Sequence, residues 1–144
     1  MSDGRQNKEG AATEKFVAKT FKKHGYWSTI LQKKQDGSQP CDIVAGKQVS
    51  GSCKMWLVDA KHVSEEKVSF TFDRVEANQI SSMQYAAGFA GLTNTGFAIY
   101  FDRTKQLYWL PFYKFMQLFN FGEKSVNLAD LEKFDEVLDN ADRY

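Results

Sequence analysis

The sequence predicts an α/β fold in which helices flank a mixed five-stranded sheet. Segments whose apolar residues recur at the period of a helix alternate with short apolar segments typical of strands. Their order is helix, three strands, helix, two strands and further helices, which predicts an α/β sandwich around a mixed sheet. The chain length of 144 residues corresponds to one domain with a sizeable core.

The first half of the chain supplies the first helix and three strands. Residues 1–10 are polar, so we expect a flexible arm that precedes a single domain over residues 11–144. A helix is predicted over residues 11–24, because Val17 and Phe21 fall on one helical face. The three strands are predicted over residues 26–31, from Pro40 to about residue 46, and over residues 53–61.

The second half of the chain alternates in the same way. Its predicted elements are a helix over residues 74–90, a hairpin of strands over 96–101 and 106–110, a short helix after Pro111 and a last helix over 127–138. Aromatic residues are frequent between residues 108 and 121. These rings either fill the core or form an apolar interface, and the pattern favours neither.

Charged residues interrupt two of the predicted strands. Asp42 lies in the second strand, and the third contains Asp59 and Lys61. The two-residue period of a strand places Asp59 and Lys61 on one face, about 7 Å apart along the backbone, while Trp56 and Val58 point the other way. Charge inside an apolar strand is costly unless it is paired or binds a metal, so these residues indicate a site.

Two helical residues share the inward face with core residues. Glu14 lies on the face of Val17, and Gln79 occupies the apolar stripe that includes Met83. Each residue has an ordinary structural explanation: the helix dipole favours a carboxylate in the first turn, and an inward amide can make a structural hydrogen bond. The alternative is that both lie beside the acids of the strands.

The acids are suited to a hard divalent cation. Mg²⁺ prefers oxygen ligands and keeps several waters, so Asp42, Asp59 and the backbone carbonyl of Ala60 are expected to suffice as protein ligands. Lys61 beside a metal-bound water would orient that water and stabilise developing negative charge. This combination favours phosphodiester hydrolysis, and the sequence contains neither a Gly-rich phosphate loop nor a convincing Ser/His/Asp set.

Charge is unevenly distributed, although the net charge is only +1. Residues 1–36 carry eight Lys or Arg and four Asp or Glu, whereas residues 123–144 carry three and seven. The basic segment either contacts nucleic-acid phosphates or is a solvated face. The candidate phosphate contacts are Lys19, Lys22, Lys23, Lys33, Lys34 and His62.

The N-terminal residues and the cysteines bear on location. Residues 1–10 lack the apolar stretch of a signal peptide, and no apolar run approaches the ~20 residues of a membrane span, so we expect a cytoplasmic protein without a membrane partner. Cys41 and Cys53 lack the spacing of metal ligands, and reduced thiols are expected.

A known superfamily of nucleases carries the same residue types in the same order. The chain resembles the PD-(D/E)XK nucleases, and within them the RecU-like and archaeal Hjc-like Holliday junction resolvases, over about residues 11–119. The resemblance implies a restriction-endonuclease-like core, a Mg²⁺ cofactor for which Mn²⁺ can substitute, and a homodimer that nicks two strands of a four-way DNA junction. The matching residues are Glu14, Pro40, Asp42, Asp59, Lys61 and Gln79.

The resemblance also implies a role for each residue. Asp42 and Asp59 would bind the metal, and Glu14 would complete or support the metal site. Lys61 would assist the attacking water, while Gln79 would orient the groups around the lysine.

Two features depart from the family pattern. The acid of the second motif is Asp59, where Glu is commoner, and its shorter arm should shift the metal slightly. RecU-type enzymes carry a long stalk between the first helix and the Pro-x-Asp strand, for which residues 27–40 leave no room, so the size is closer to the archaeal or phage-encoded forms. Another PD-(D/E)XK nuclease acting on duplex or flap DNA, and a non-catalytic DNA-binding module, are the alternatives.

Overall fold

A computed structural model of the chain describes residues 2–32, 41–89 and 94–141. Side chains are described within these ranges except at residues 2–8 and 89. Four helices and eight strands occur in these residues, with short 3₁₀ turns at 72–74 and 128–130. In chain order they are α1 (Ser2–Lys23), β1 (Trp27–Ile30), β2 (Ile43–Val49), β3 (Ser52–Val63), β4 (Ser69–Thr71), α2 (Ala77–Phe89), β5 (Asn94–Phe101), β6 (Gln106–Pro111), α3 (Phe112–Asn120), β7 (Ser125–Asn127), β8 (Glu132–Lys133) and α4 (Phe134–Ala141).

The main sheet is mixed, as the sequence predicts, and has the strand order β1-β2-β3-β5-β6-β8. All neighbouring pairs are antiparallel except β3 and β5, which run parallel with Trp56 opposite Asn94 and Val63 opposite Phe101. A parallel pair needs a long crossover, and the segment containing α2 supplies it. The predicted α/β class is therefore confirmed, with β3 inside the sheet and flanked by β2 and β5.

Some predicted boundaries were wrong because tertiary pairing extends or replaces local patterns. The sheet has six strands instead of five, since β8 pairs with β6, and β4 pairs with β7 in a separate two-stranded sheet. The segment expected to be a helix over residues 127–138 contains β8, and α4 begins only at Phe134. Strand β3 continues through Val63, two residues beyond its predicted end, because His62 and Val63 pair with β5.

Helix α1 begins at Ser2, so residues 2–10 belong to the helix and do not form the expected arm. The helix packs through Val17 and Phe21, both fully buried, against the face of the sheet that carries Trp56. Among the helices of the described ranges, none is both long and apolar enough to cross a membrane.

The core has two main parts, one on each face of the sheet. On the α1 and α4 face, Trp56, Val58 and Phe134 form an apolar cluster. On the α2 and α3 face, Phe97 and Phe115 pack with ring centroids 5.3 Å apart. Strand β3 thus sends alternate residues to opposite layers, which confirms the two-residue period of its sequence.

Candidate active site

Asp42 lies between β1 and β3, directly before β2. Its backbone nitrogen donates to the Val58 carbonyl at 3.0 Å, and its carbonyl accepts from the Leu31 nitrogen at 2.7 Å. Its side-chain Oδ2 accepts from the backbone nitrogen of Ala60 at 2.9 Å. Asp42 as a whole residue is 7 % exposed, so the backbone of β3 holds a buried acid in a defined orientation.

Asp59 and Lys61 project from β3 on the same face. The Lys61 Nζ lies 3.1 Å from the Asp59 Oδ2, and the two side chains are 14 % and 4 % exposed. Trp56 and Val58 belong to the apolar cluster on the other face. The sequence prediction that Asp59 and Lys61 face one way is confirmed.

Gln79 connects these two charged groups from the first turn of α2. Its Nε2 donates to the Asp59 Oδ1 at 3.2 Å, and its Oε1 accepts from the Lys61 Nζ at 3.3 Å. The same Oε1 accepts from the backbone nitrogen of Glu76 at 3.2 Å, which ties the amide to the start of the helix. The inward amide of α2 therefore lies beside the acids, and its hydrogen bonds fix the orientation of both neighbours.

Arg74 is a member of this cluster that the sequence analysis missed. The Lys61 Nζ donates to the Arg74 carbonyl at 3.3 Å, and the Arg74 Nη1 donates to the His62 carbonyl at 2.5 Å. The guanidinium lies 5.6 Å from the centre of the Phe70 ring, and its burial lowers the pKa of Arg74. In the sequence, Arg74 is the first residue of a predicted helix, and no local pattern distinguishes it from a surface residue.

The electrostatic balance at Asp59 is unusual. Burial raises the pKa of Asp59 from 3.8 to about 7, the Lys61 ammonium opposes this rise, and the negative charge of Asp42 adds to it. The neighbouring Cys41 thiol is also buried, which raises its pKa to about 12 and keeps it protonated. Strongly shifted pKa values are concentrated at functional sites. Positive charge beside Asp59 would favour its ionised form.

The residues fit a divalent cation. Asp59 Oδ2 is buried and has no well-oriented hydrogen-bond donor in the described part of the chain, although the Lys61 ammonium lies nearby. Across residues 2–32, 41–89 and 94–141, no three His, Cys, Asp or Glu side chains lie close enough to hold an ion. Two carboxylates with waters suit Mg²⁺, which dehydrates reluctantly.

The other predicted residues are distributed more widely. Glu14 is half-buried on α1, and Lys19, Lys22 and Lys23 are exposed there. Lys23 forms an ion pair with Asp135 at 3.0 Å. Lys33 and Lys34 lie outside the described residues.

His62 lies next to the cluster and is bound to α1. Its ring stacks on Tyr100 with centroids 5.7 Å apart, and its Nδ1 lies 3.5 Å from the Glu9 carboxylate. Glu9 was missed because it falls in the segment expected to be an arm. This contact brings the first half of α1 to the end of β3 that carries Lys61.

Solved structures provide the comparison with known proteins. The chain superposes on Hjc, a Holliday junction resolvase of Archaeoglobus fulgidus, with a TM-score of 0.66 and 17 % identity, over 90 % of this chain and 99 % of that one. It also superposes on D212, a nuclease from a fusselovirus, with a TM-score of 0.53 and 11 % identity, over 96 % and 90 % of the two chains. No protein-family model and no curated protein sequence matches the chain.

At these identities the likeness concerns the arrangement of the backbone. The mixed sheet and its flanking helices match the archaeal resolvase over almost its whole length. The chain therefore has the restriction-endonuclease-like fold of Hjc.

Proposed function

We propose that this protein is a Mg²⁺-dependent, structure-selective DNA endonuclease, and that it resolves Holliday junctions by hydrolysing phosphodiester bonds at four-way DNA. The observation that carries the proposal is the buried cluster of Asp42, Asp59, Lys61 and Gln79, in which the carboxyl, ammonium and amide groups of the last three lie within 3.3 Å of one another. The same cluster lies on a fold shared with a junction resolvase and a viral nuclease.

The proposed chemistry depends on the carboxylates and the lysine of the cluster. Asp42 and Asp59 would hold Mg²⁺, with the Ala60 carbonyl as a further ligand, and the bound cation would polarise the scissile phosphate and activate water. Lys61 is held by Asp59 and Gln79, and its ammonium would orient the attacking water and stabilise the developing negative charge. Glu14 on α1 would complete or support this metal site.

DNA binding involves the exposed face of α1. Lys19, Lys22 and Lys23 are solvent-exposed on this helix and would contact phosphates, and Lys23 would exchange its ion pair with Asp135 for that contact. His62 borders the cluster. We infer a homodimer, because one site cuts one strand and resolution of a four-way junction needs two symmetric cuts. Exposed rings at the end of α3, Phe119 and Phe121, are 45 % and 85 % exposed and offer apolar surface for such contact.

A substrate comparison tests the proposal. Purified protein is incubated with Mg²⁺ and either a fixed four-way junction, a flap, or a linear duplex of the same sequence, and the initial cleavage rates are compared. The expected result is paired nicking of the junction at a rate well above that of the linear duplex. Cleavage of none of the three substrates would contradict an endonuclease.

A second candidate is a nuclease of the same fold that acts on duplex or flap DNA. The observation that favours it is the number of residues between β1 and β2: residues 31–42 are too few to include the long stalk of RecU-type enzymes. The same assay separates the two, because this candidate cuts the flap or the linear duplex at least as fast as the junction.

A further inference from the structure

A cavity of about 400 Å³ lies at the far end of β3 from the acidic cluster. Its lining includes Lys54 and Trp56 from the first half of β3, Trp109 from β6, and Tyr113 and Lys114 from α3. Trp56 and Lys61 are five residues apart on one strand, which corresponds to about 16 Å. Trp56 also faces the layer opposite to Asp59, so the cavity and the acidic cluster are separate places on the molecule.

The aromatic part of the cavity is built from three rings. Trp56 and Trp109 pack with centroids 5.1 Å apart at an interplanar angle of 66°, and they are 2 % and 7 % exposed. Tyr113 also lines the cavity and is 65 % exposed. The Trp56 Nε1 is buried and has no hydrogen-bond partner among the residues that the structure describes. A rigid apolar floor with an exposed ring beside it suits a planar aromatic ligand.

The polar part of the cavity is mixed in charge. The Lys54 Nζ donates to the Ala141 carbonyl at 2.7 Å, and the Lys114 Nζ donates to the Asp130 carbonyl at 3.0 Å. An ammonium has three N–H groups, so each lysine keeps donors for an anion. Glu132 and the amide of Asn140 also line the cavity. They supply acceptors and donors for the edge of a base.

We propose that this cavity binds one nucleotide of an unpaired DNA strand. The base stacks on Tyr113 against the tryptophan floor, and the phosphate contacts Lys54 and Lys114. Glu132 accepts a hydrogen bond from an exocyclic amino group, as carboxylates do from cytosine N4. Stacking on aromatic side chains combined with basic residues is the general way in which single strands are held. That the nucleotide belongs to a DNA strand rests on the proposed function, whereas the binding of a nucleotide does not.

The three tryptophans allow a direct measurement. Trp27 lies outside the cavity on β1, whereas Trp56 and Trp109 both line it. In a Trp27→Phe protein all tryptophan fluorescence therefore comes from the cavity. Titration of this protein with dCMP, in buffer with EDTA so that no metal-dependent cleavage occurs, should change the fluorescence saturably. Deoxycytidine and inorganic phosphate, each alone, should bind more weakly than dCMP, because each supplies half of the contacts.

Two matched variants locate the binding. Tyr113→Ala in the same protein should weaken dCMP binding about 5- to 100-fold, which corresponds to the loss of one stacked base. Tyr85→Ala is the control, because Tyr85 is 66 % exposed on α2 and does not line the cavity. It should bind dCMP like the parent protein.

The proposal would be overturned by an unsaturable fluorescence change, by equal binding in the Tyr113→Ala and parent proteins, or by phosphate alone binding as tightly as dCMP. None of these results bears on DNA cleavage, since the titration contains no metal. Conversely, a protein that binds dCMP through Tyr113 and cuts no DNA would contradict the proposed function and leave the cavity assignment standing.

Discussion

The pKa of the Asp59 carboxyl is strongly raised in the folded protein. Its pKa is raised from 3.8 to about 7, so the native state retains a proton that the unfolded chain has already released. Between about pH 4 and pH 7 the native state thus binds more protons than the unfolded state. The contribution of Asp59 to stability is greatest at low pH and declines as pH rises through this window.

This linkage predicts how Asp59→Asn changes stability. Asn mimics the neutral carboxyl, so the variant should gain stability relative to the parent protein as pH rises from about 4 to about 8, by at most about 4 kcal/mol. Urea denaturation of both proteins in EDTA, at several pH values, gives the difference in the free energy of unfolding. A difference that stays constant across this range would show that Asp59 ionises normally in the folded protein.

A bound cation should lower the pKa of Asp59 again. Positive charge favours the ionised carboxyl, so Mg²⁺ binding should release a proton below pH 7. Calorimetric titration at pH 6 in buffers of different ionisation enthalpy should show proton release that disappears near pH 8. Tight Mg²⁺ binding without any such proton release would place the ion away from Asp59.

Lys61 provides a second test at the scale of single residues. Lys61→Met removes the ammonium 3.1 Å from Asp59 and keeps much of the side-chain volume. If Lys61 acts on the attacking water and the developing charge, the cleavage rate should fall by about 10²–10³ while DNA binding persists. Lys67→Met, at an exposed lysine after β3, is the matched control and should retain the parent rate. An equal loss of cleavage rate in both variants would indicate that the rate depends on overall positive charge and not on the position of Lys61.

Gln79 acts on the reaction through its neighbours. Gln79→Ala removes the hydrogen bonds to Asp59 and Lys61, so the lysine loses its orientation and the cleavage rate should fall by about tenfold or more. Gln84→Ala, at an exposed glutamine on the same helix, should leave the rate unchanged. Measurement of both rates under single-turnover conditions, with melting temperatures as a check of folding, distinguishes positioning from loss of structure.

At the scale of elements, prediction succeeded where the pattern is local. The alternation of β3 placed Asp59 and Lys61 on one face, and the stripe of α2 placed Gln79 inward, because side-chain direction follows from the element alone. Arg74 and Glu9 were missed, since their contacts join elements that are distant in sequence. Glu14 was predicted to face inward, and it is half-buried in the structure. The helical period alone cannot show whether such a carboxylate binds a metal.

Close contact between β5 and β6 gives a prediction for stability. A Cβ at Gly96 would lie 2.4 Å from the Leu110 carbonyl oxygen and 3.0 Å from the Phe112 nitrogen, both in the backbone. Gly96→Ala should therefore destabilise the protein by about 1–3 kcal/mol, measured by urea denaturation. Gly88→Ala is the control, because no atom of the described residues outside its own stretch of helix lies within 4 Å of the added Cβ, and in helix α2 it should stabilise slightly. The opposite order would contradict the β5–β6 packing.

At the scale of the whole molecule, the sheet brings the acidic cluster together from three parts of the chain. Asp42 before β2, the charged face of β3 and the first turn of α2 meet because β2 pairs with β3, and because α2 belongs to the crossover to the parallel strand β5. The residues of the cluster could be identified from the sequence alone. Strand β8 and the β4–β7 sheet could not be predicted from local patterns, because they depend on pairings between distant segments.

If the cluster of Asp42, Asp59 and Lys61 cuts DNA, removal of one carboxylate should abolish cleavage. Single-turnover cleavage of a fixed four-way junction is measured with Mg²⁺ for the parent protein and for Asp59→Asn. We expect the parent protein to nick the junction, and the variant to bind it with similar affinity without cleaving it. Cleavage by Asp59→Asn at the parent rate would contradict the assignment of Asp59 to the active site.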